Sequence, residues 1–261
     1  MKTYADVLGH ERTALIPFFV LGDPDEETSF DVICAALDAG ADVLELGIPF
    51  SDPIADGPVI QRADIRALNA GMTPEKALAL IHRIKAFRDV PIGLLMYYNL
   101  IWQYGTDRFF CDAAAAGVNS VLVADLSIDD ADEVCRPAQA AGMDTVFMVT
   151  PNTPAERIRA VAAKTTGFIY TVSVLGVTGT RDQLSAGLAD LIQRIQRVTP
   201  IPVCVGFGIS KPEHAAAVAD AGADGVIIGS KLVGLIEEHL PDKPRMLAEV
   251  GRFVRQVRQA I

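Results

Sequence analysis

The segment Ala39-Gly40-Ala41-Asp42-Val43-Leu44-Glu45-Leu46 joins a small-residue turn to a short apolar run, and variants of it recur along the chain. The other copies begin at Ala116, Ala141 and Ala221. An alanine-rich stretch with helical periodicity precedes each copy, and glycine readily ends a helix in the left-handed conformation. Because a β-branched run after such a turn is typical of a buried parallel strand, each copy predicts a helix, a tight turn and a strand.

The remaining apolar runs complete a regular alternation of strands and helices. Predicted strands occupy 14–20, 42–47, 91–97, 120–125, 144–150, 168–173, 201–207 and 225–229. Predicted helices occupy 25–38, 58–70, 74–88, 106–115, 129–140, 154–163, 184–198, 212–220 and 231–260, the last in two pieces. Eight β-then-α units in 261 residues favour a (β/α)8 TIM barrel with extra helical segments, with an open doubly wound sheet as the alternative. No linker-like stretch divides the chain, so residues 1–261 are predicted to form a single domain.

Acidic residues outnumber basic residues in this chain. Asp and Glu total 33 and Lys and Arg total 23, which gives a formal charge of −10. Nucleic acids and anionic membranes bind clustered basic surfaces, so neither is expected as a partner. The four cysteines form no C-x-x-C pair and the N-terminus lacks a signal sequence, which together predict a cytoplasmic protein. An anionic ligand would have to be bound locally, by backbone N–H groups or by a single well-placed cation.

Glu45 lies near the carboxyl end of the predicted strand 42–47, where TIM barrels hold their chemistry. Both faces of a barrel strand are covered, so its carboxyl is expected to be buried or at the barrel mouth. A buried carboxyl without a partner has a raised pKa, which suits a general acid/base near neutral pH. Pairing with an arginine or with backbone N–H groups is the alternative, and the spacing does not separate the two.

The loop that follows, 50–58, carries Asp52 and Asp56 over the barrel mouth. One interpretation is that Asp56 caps the helix that begins near Pro58, because Asp before Gly-Pro suits a helix start. The other is that Asp56 is a second catalytic carboxylate on a closing loop. The sequence alone leaves both open.

Three glycine-bearing turns follow late strands: 176–180, 206–210 and 228–230. Glycine allows the backbone to approach a phosphate oxygen closely, and TIM barrels commonly bind phosphate with the loops after their last two strands. The turns 206–210 and 228–230 therefore predict a phosphate site.

Other chemistries find little support in the sequence. None of the four histidines lies at a predicted strand end, so no metal site is expected. No lysine lies within the strand 168–173, where a Schiff-base aldolase of this fold often holds one. Lys164, Lys211 and Lys231 are interpreted as solvated.

The run Leu44–Gln61 resembles the signature of the tryptophan synthase α subunit family. Further motifs of that family follow in the same order over the whole chain: 17–18, 21–24, 93–97 with Asn99, 123–125, 176–179 and 206–210. The resemblance implies a TIM barrel that cleaves indole-3-glycerol phosphate to indole and glyceraldehyde 3-phosphate by a retro-aldol reaction, late in L-tryptophan biosynthesis.

The resemblance also implies roles for individual residues. Glu45 would move a proton between the substrate's C3 hydroxyl and indole C3, and Asp56 would bind the indole N–H. Thr178 matches a residue on a loop that closes over the site. Positions that match the family's indole contacts are Phe18, Ile60, Leu95, Leu122 and Phe207, with Tyr170 beside Glu45. Positions that match its phosphate donors are Gly179, Gly208, Gly229 and Ser230.

A partner subunit is a further implication of the resemblance. The family works as an αββα heterotetramer, in which indole passes to a β subunit that carries pyridoxal phosphate, so no cofactor is expected in this chain. The interface is expected at loop 49–56, at 97–99 and near Trp102. The chain departs from the family at Val174-Leu175, where an arginine is common.

Three other functions remain as alternatives. A free-standing indole-3-glycerol-phosphate lyase shares the fold and both acids, and full activity without a β subunit would distinguish it. A catalytically idle regulatory subunit is disfavoured by Glu45 and Asp56. A sugar-phosphate isomerase on the same fold is disfavoured by the apolar residues and the long loop 50–58.

Overall fold

Within residues 1–9, 12–172, 181–206 and 208–261, which the computed structural model describes (the backbone alone at 181–186), parallel strands form a single sheet. The strands are β1 Ala14–Val20, β2 Leu44–Gly47, β3 Ile92–Met96, β4 Ser120–Val123, β5 Asp144–Thr145, β6 Phe147–Val149, β7 Ile169–Val172, β8 Val203–Gly206 and β9 Gly225–Ile228. Their order is β5-β4-β3-β2-β1-β9-β8-β7-β6. Only Val146 separates β5 from β6, and together they form the predicted strand 144–150. The sheet therefore closes into the predicted TIM barrel.

The helices of the chain follow the predicted alternation. They are α1 Glu26–Asp38, α2 Pro58–Asn69, α3 Pro74–Phe87, α4 Tyr98–Tyr104, α5 Thr106–Ala116, α6 Asp132–Ala140, α7 Ala155–Lys164, α8 Arg181–Gln196, α9 Pro212–Asp220, α10 Ser230–Glu238 and α11 Lys243–Ala260. Two short elements were not predicted, α4 and the 3-10 turn Tyr4–Asp6, because neither is long enough to show a helical period. In the part of the chain described, no helix is long and apolar enough to cross a membrane.

The recurrent Ala-Gly units form the turns that enter β2, β4, β5 and β9. Their glycines all have positive φ, between 73° and 107°, as a helix end in the left-handed region requires: Gly40, Gly117, Gly142 and Gly222. In three of these units, the side chain two residues after the glycine accepts a hydrogen bond from a backbone N–H group of a neighbouring strand. The donors are the N–H groups of Leu15, Ile92 and Val203, and the acceptors are the side chains of Asp42, Asn119 and Asp224, at 2.8–2.9 Å.

The strands separate two apolar clusters. Leu44 and Leu46 belong to the outer cluster, between the sheet and the helices. Val43 belongs to the inner cluster, which fills the barrel and includes Tyr4 from the N-terminal turn. The Tyr4 hydroxyl hydrogen-bonds to Ser120 Oγ at 2.6 Å and closes the amino end of the barrel. Side chains alternate along β2, so Glu45 lies on the inner face with Val43.

A network of ion pairs joins three elements near the carboxyl end of the barrel. The Asp23 carboxylate, whose side chain is 0% exposed, accepts two hydrogen bonds from Arg66 of α2 at 2.7 and 2.9 Å. Arg66 also reaches Glu237 of α10, and Arg62 donates to both oxygens of Glu237 at 2.6 and 2.8 Å. The loop after β1, α2 and α10 are thereby held together.

We expect Arg66→Met to lower the free energy of unfolding by about 3 kcal/mol, because the Asp23 carboxyl would stay buried without its partner. Arg157→Met is the matched control: Arg157 makes two hydrogen bonds to Asp129, but that pair is exposed. Its loss should stay below about 1 kcal/mol. Denaturant unfolding of the two variants measures the difference. Equal losses would contradict the importance assigned to Asp23 burial.

Candidate active site

A cavity of about 400 Å³ opens at the carboxyl ends of the strands. Nine of the residues predicted for the site line it: Phe18, Glu45, Asp56, Ile60, Leu95, Tyr170, Gly208, Gly229 and Ser230. Ile209 and Ser210 of the predicted phosphate turn 206–210 also line it, together with three residues that were not predicted for the site: Gly57, Ile227 and Lys231. We call this space the mouth cavity. Its position is the one at which TIM-barrel enzymes carry out their chemistry.

Glu45 is buried on the inner face of β2, in register with Phe18 of β1 and Gly93 of β3. Burial and the nearby Asp56 carboxylate raise the pKa of Glu45 to about 8. Among the described residues, no hydrogen bond or ion pair compensates for the lost solvation of its carboxylate. Of the two sequence interpretations, the geometry therefore agrees with the unpaired carboxyl. Such a group can hold and release a proton near neutral pH.

Asp56 is half-buried at the end of the loop that leads into α2. The N-cap of α2 is Gly57, and Asp56 makes no side-chain cap, so the capping interpretation is wrong. The Tyr97 hydroxyl instead donates to Asp56 Oδ2 at 2.6 Å and accepts from the Ala55 N–H at 3.1 Å. Burial raises the pKa of Asp56, and the Tyr97 hydrogen bond opposes that rise. The carboxylate is held toward the cavity by a tyrosine beneath it.

Tyr97 corrects one expectation. The sequence placed 97–99 at a partner interface, but the Tyr97 side chain is buried and its ring stacks on Phe50, with centroids 5.1 Å apart. The ring stacking on Phe50 and the hydroxyl's hydrogen bonds to Ala55 and Asp56 are all contacts with the loop 50–57. Tyr97 therefore supports the Asp56 loop from inside the protein. Its position at the start of α4, a helix too short to show a period, concealed this role.

The walls of the mouth cavity are apolar, and glycines make room for their rings. A Cβ atom at Gly47 would lie 3.0 Å from Phe18 Cζ, and one at Gly229 would lie 3.3 Å from Phe18 Cδ1. A Cβ atom at Gly206 would lie 2.2 Å from the Tyr170 hydroxyl oxygen. Burial and the Glu45 carboxylate raise the pKa of Tyr170 well above its usual value, so this phenol stays neutral. The cavity thus accepts a flat apolar group beside Glu45.

Two turns at helix starts also line the cavity. Gly208, with a φ of 75°, and Ser210 precede α9, while Gly229 and Ser230 begin α10. His214 Nδ1 lies 3.2 Å from the Gly208 carbonyl oxygen and 3.4 Å from the Ser210 nitrogen, which links the first turn to α9. The first turn of α10 contains no acidic residue. Free N–H groups at a helix start suit an anion, in agreement with the predicted phosphate site.

Lys231 is half-buried and lines the mouth cavity, so the interpretation of this residue as solvated is wrong. Leu122 does not reach this cavity. It pairs with Leu95 across β3 and β4 but packs in the inner cluster and lines a separate cavity of about 190 Å³. Its register with Leu95, which does line the mouth cavity, places Leu122 at the same level of the barrel as that residue.

Several predicted residues lie outside the described part of the chain. They are Thr178, Gly179 and Phe207, together with the departures Val174 and Leu175. Their predicted roles stay predictions.

Asp64 is a further carboxyl that the sequence analysis missed. It lies on the buried face of α2, and burial with the nearby Asp56 raises its pKa to about 7. One oxygen accepts the Phe50 N–H, and Oδ2 has no partner in the described structure. The sequence feature that could have identified Asp64 is its position on the same helix face as Ile60, Ala63 and Ala67, which are the buried apolar residues of α2.

The comparisons with known proteins agree with this arrangement. Residues 4–261 match the family model described as tryptophan synthase alpha chain. The chain belongs to this family. It is 47% identical to the tryptophan synthase alpha chain of Methanothermobacter thermautotrophicus over 99% of this chain and 96% of that one. It is 44% identical to that of Methanoregula boonei, over 95% and 94%.

Solved structures of the family share the fold. Tryptophan synthase subunit alpha from Legionella pneumophila superposes with a TM-score of 0.88 at 37% identity, covering 96% of this chain and 93% of that one. A chain from the tryptophan synthase α2β2 complex of Pyrococcus furiosus gives 0.85 at 40% identity, covering 94% and 97%. The TIM-barrel expectation and the family expectation are both confirmed.

The raised pKa of Asp64 predicts how stability depends on pH. The unfolded carboxyl titrates near 3.8 and the folded one near 7, so between these values the folded state binds more protons and loses stability as pH rises. Asparagine resembles the protonated acid. We therefore expect Asp64→Asn to exceed the wild type in stability by about 1 kcal/mol at pH 8, and to match it near pH 4.

Thermal and denaturant unfolding at the two pH values measure this difference. Asp130→Asn, at an exposed position, is the control and should show no pH-dependent change relative to the wild type. A constant offset between Asp64→Asn and wild type at both pH values would show that the Asp64 proton is not the cause.

Proposed function

We propose that the chain cleaves indole-3-glycerol phosphate to indole and glyceraldehyde 3-phosphate as the α subunit of a tryptophan synthase. The observation that carries the proposal is the juxtaposition of Glu45, a buried carboxyl with a pKa of about 8, with Asp56 across an apolar cavity. Membership of the tryptophan synthase alpha chain family supports the same reaction.

The chemistry needs a proton at indole C3 and a base for the substrate hydroxyl. Glu45 starts protonated at neutral pH, as its pKa near 8 allows, and donates its proton to indole C3. Ring protonation turns the indole into an electron acceptor. Glu45 then removes the proton of the C3 hydroxyl, the C–C bond breaks, and its electron pair returns to the ring. The proton has moved from oxygen to carbon, and Glu45 ends as it began.

Asp56 acts on the other side of the ring. Its carboxylate accepts the indole N–H, and it stabilises the positive charge that protonation at C3 places on the ring nitrogen. The Tyr97 hydrogen bond favours the ionised form of Asp56. The two carboxyls therefore have different roles. Glu45 enters the reaction protonated and transfers the proton, and Asp56 enters it ionised and stabilises the positive charge.

The remaining cavity residues orient the substrate. Phe18, Ile60 and Leu95 contact the indole ring, with the neutral Tyr170 beside Glu45. Gly208, Gly229 and Ser230 bind the phosphate through backbone N–H groups, with Gly179 assigned to the same end and Phe207 assigned to the indole ring. Thr178, outside the described residues, matches a family position on a closing loop. Leu122 pairs with Leu95 but does not line the described cavity, and its contact with the indole ring stays a prediction.

The proposed function includes a partner and a compartment. The complex of the Pyrococcus furiosus relative is an α2β2 assembly. In this chain Ile54 of the Asp56 loop is 83% exposed and Trp102 of α4 is 64% exposed, which offers an apolar contact next to the mouth cavity. We assign this surface to a β subunit, which would carry pyridoxal phosphate, and we assign the complex to the cytoplasm. This chain needs no cofactor of its own.

The first test is indole release from indole-3-glycerol phosphate by the purified chain, alone and with a β subunit. Slow release that rises at least tenfold with the β subunit is expected, because contact at Ile54 and Trp102 would hold the Asp56 loop closed. Fast release without the β subunit would favour the free-standing lyase. Release in neither condition would overturn the proposed reaction.

Glu45→Gln is expected to lower kcat about 10²–10⁴-fold, because glutamine cannot transfer the proton. It should still fold and bind glycerol 3-phosphate, since glutamine resembles the neutral acid in shape. In the wild type, kcat/KM should fall as pH rises above about 8, where Glu45 loses its proton. Near-normal turnover by Glu45→Gln would show that another group is the acid/base.

A further inference from the structure

Lys231 is the only cationic side chain among the described residues that line the mouth cavity. The other charged groups there, Glu45 and Asp56, are acids. A phosphorylated substrate carries up to two negative charges into a protein whose formal charge is already −10. A cation at the phosphate end would offset that repulsion locally. A single well-placed cation is one of the two means of binding an anion that the acidic composition leaves open.

Lys231 has no competing partner in the described structure. Other lysines of the chain pair with acids: Lys85 with Asp89, Lys164 with Asp132, and Lys243 with Asp31. No such pair or hydrogen bond involves the Lys231 ammonium within the described residues. A half-buried ammonium without a carboxylate is available to an incoming anion.

The position of Lys231 in its helix is unfavourable without an anion. It follows Ser230 in the first turn of α10, where the helix dipole places positive charge and where no acidic residue compensates. Cations stabilise helix carboxyl ends, and at an amino end they are disfavoured. A phosphate bound between the first-turn N–H groups and the ammonium would be attracted by both, and these attractions would offset the unfavourable position of the lysine.

We propose that the Lys231 ammonium binds the substrate phosphate together with the N–H groups of Gly229 and Ser230, and so makes the site selective for a phosphorylated substrate. This inference rests on the proposed function, because it assigns a residue to the phosphate end of that site. The backbone donors orient the phosphate. The lysine adds the one full positive charge at that end.

The test measures ligand binding and turnover separately in Lys231→Met, Lys231→Arg and Lys211→Met. Methionine removes the charge while keeping an unbranched side chain, and arginine retains the charge. Lys211 is the matched control, since it also stands at a helix start after a glycine turn but is exposed and does not line the cavity. Calorimetric titration uses two probes, glycerol 3-phosphate and indole.

We expect Lys231→Met to weaken glycerol 3-phosphate binding about tenfold, as the loss of one charge-assisted contact would. Indole affinity should not change. KM for indole-3-glycerol phosphate should rise by a similar factor with kcat within about twofold, since the contact is remote from the breaking bond. Lys231→Arg should recover most of the affinity, and Lys211→Met should match the wild type. The unliganded Lys231→Met protein should melt no lower than the wild type.

Two results would overturn the inference. Equal glycerol 3-phosphate affinities of Lys231→Met and wild type would remove Lys231 from the phosphate site. Equal weakening in Lys231→Met and Lys211→Met would show a general charge effect. Failure of the proposed function is distinguishable from both, because the wild type itself would then neither bind glycerol 3-phosphate nor release indole.

Discussion

The register of β2 between its neighbours decides on which side of the barrel Glu45 lies. Glu45 stands opposite Phe18 of β1 and Gly93 of β3. A slip of one residue would turn it toward the helices and bring Leu44 and Leu46 into the barrel. Asp42 opposes such a slip, because its carboxylate accepts the Leu15 N–H and pairs with Arg258. The turn that starts the strand thus also sets the direction of its acid.

On the inner face of the barrel, no hydrogen bond or ion pair from the described residues stabilises the ionised form of Glu45. The carboxyls of Glu45, Asp56 and Asp64 all have raised pKa values, and burial is the largest cause in each case. Three acids in one region also repel each other when ionised. Burying these acids lowers the stability of the fold, whereas the same acids at the surface would not. The apolar core elsewhere in the barrel offsets this loss. The same burial makes the proton chemistry possible, because a solvated carboxyl would not hold a proton at neutral pH.

Periodicity predicted the strands and most helices because each Ala-Gly unit carries its own helix end, turn and strand. The same local signal failed where tertiary contacts decide. Whether Glu45 was paired depended on side chains distant in sequence, and the Tyr97–Asp56 hydrogen bond spans 41 residues. The break at Val146 follows from pairing with two different neighbours. Lys231 has the same local pattern as Lys211, a lysine near a helix start, and only the closed barrel shows which of them lines the cavity.

The mouth cavity is electrostatically divided, and the ion-pair network on its outside keeps the division in place. Asp56 precedes α2, while Ser230 and Lys231 begin α10. Arg62 and Arg66 of α2 both bond to Glu237 of α10, so the acidic end and the cationic end belong to helices that are tied directly to each other. A substrate with an N–H donor on its ring at one end and a phosphate at the other matches these two ends in one orientation. That orientation places its ring beside Glu45. The ion pairs between α2 and α10 therefore connect the two helices that carry the charged ends of the mouth cavity.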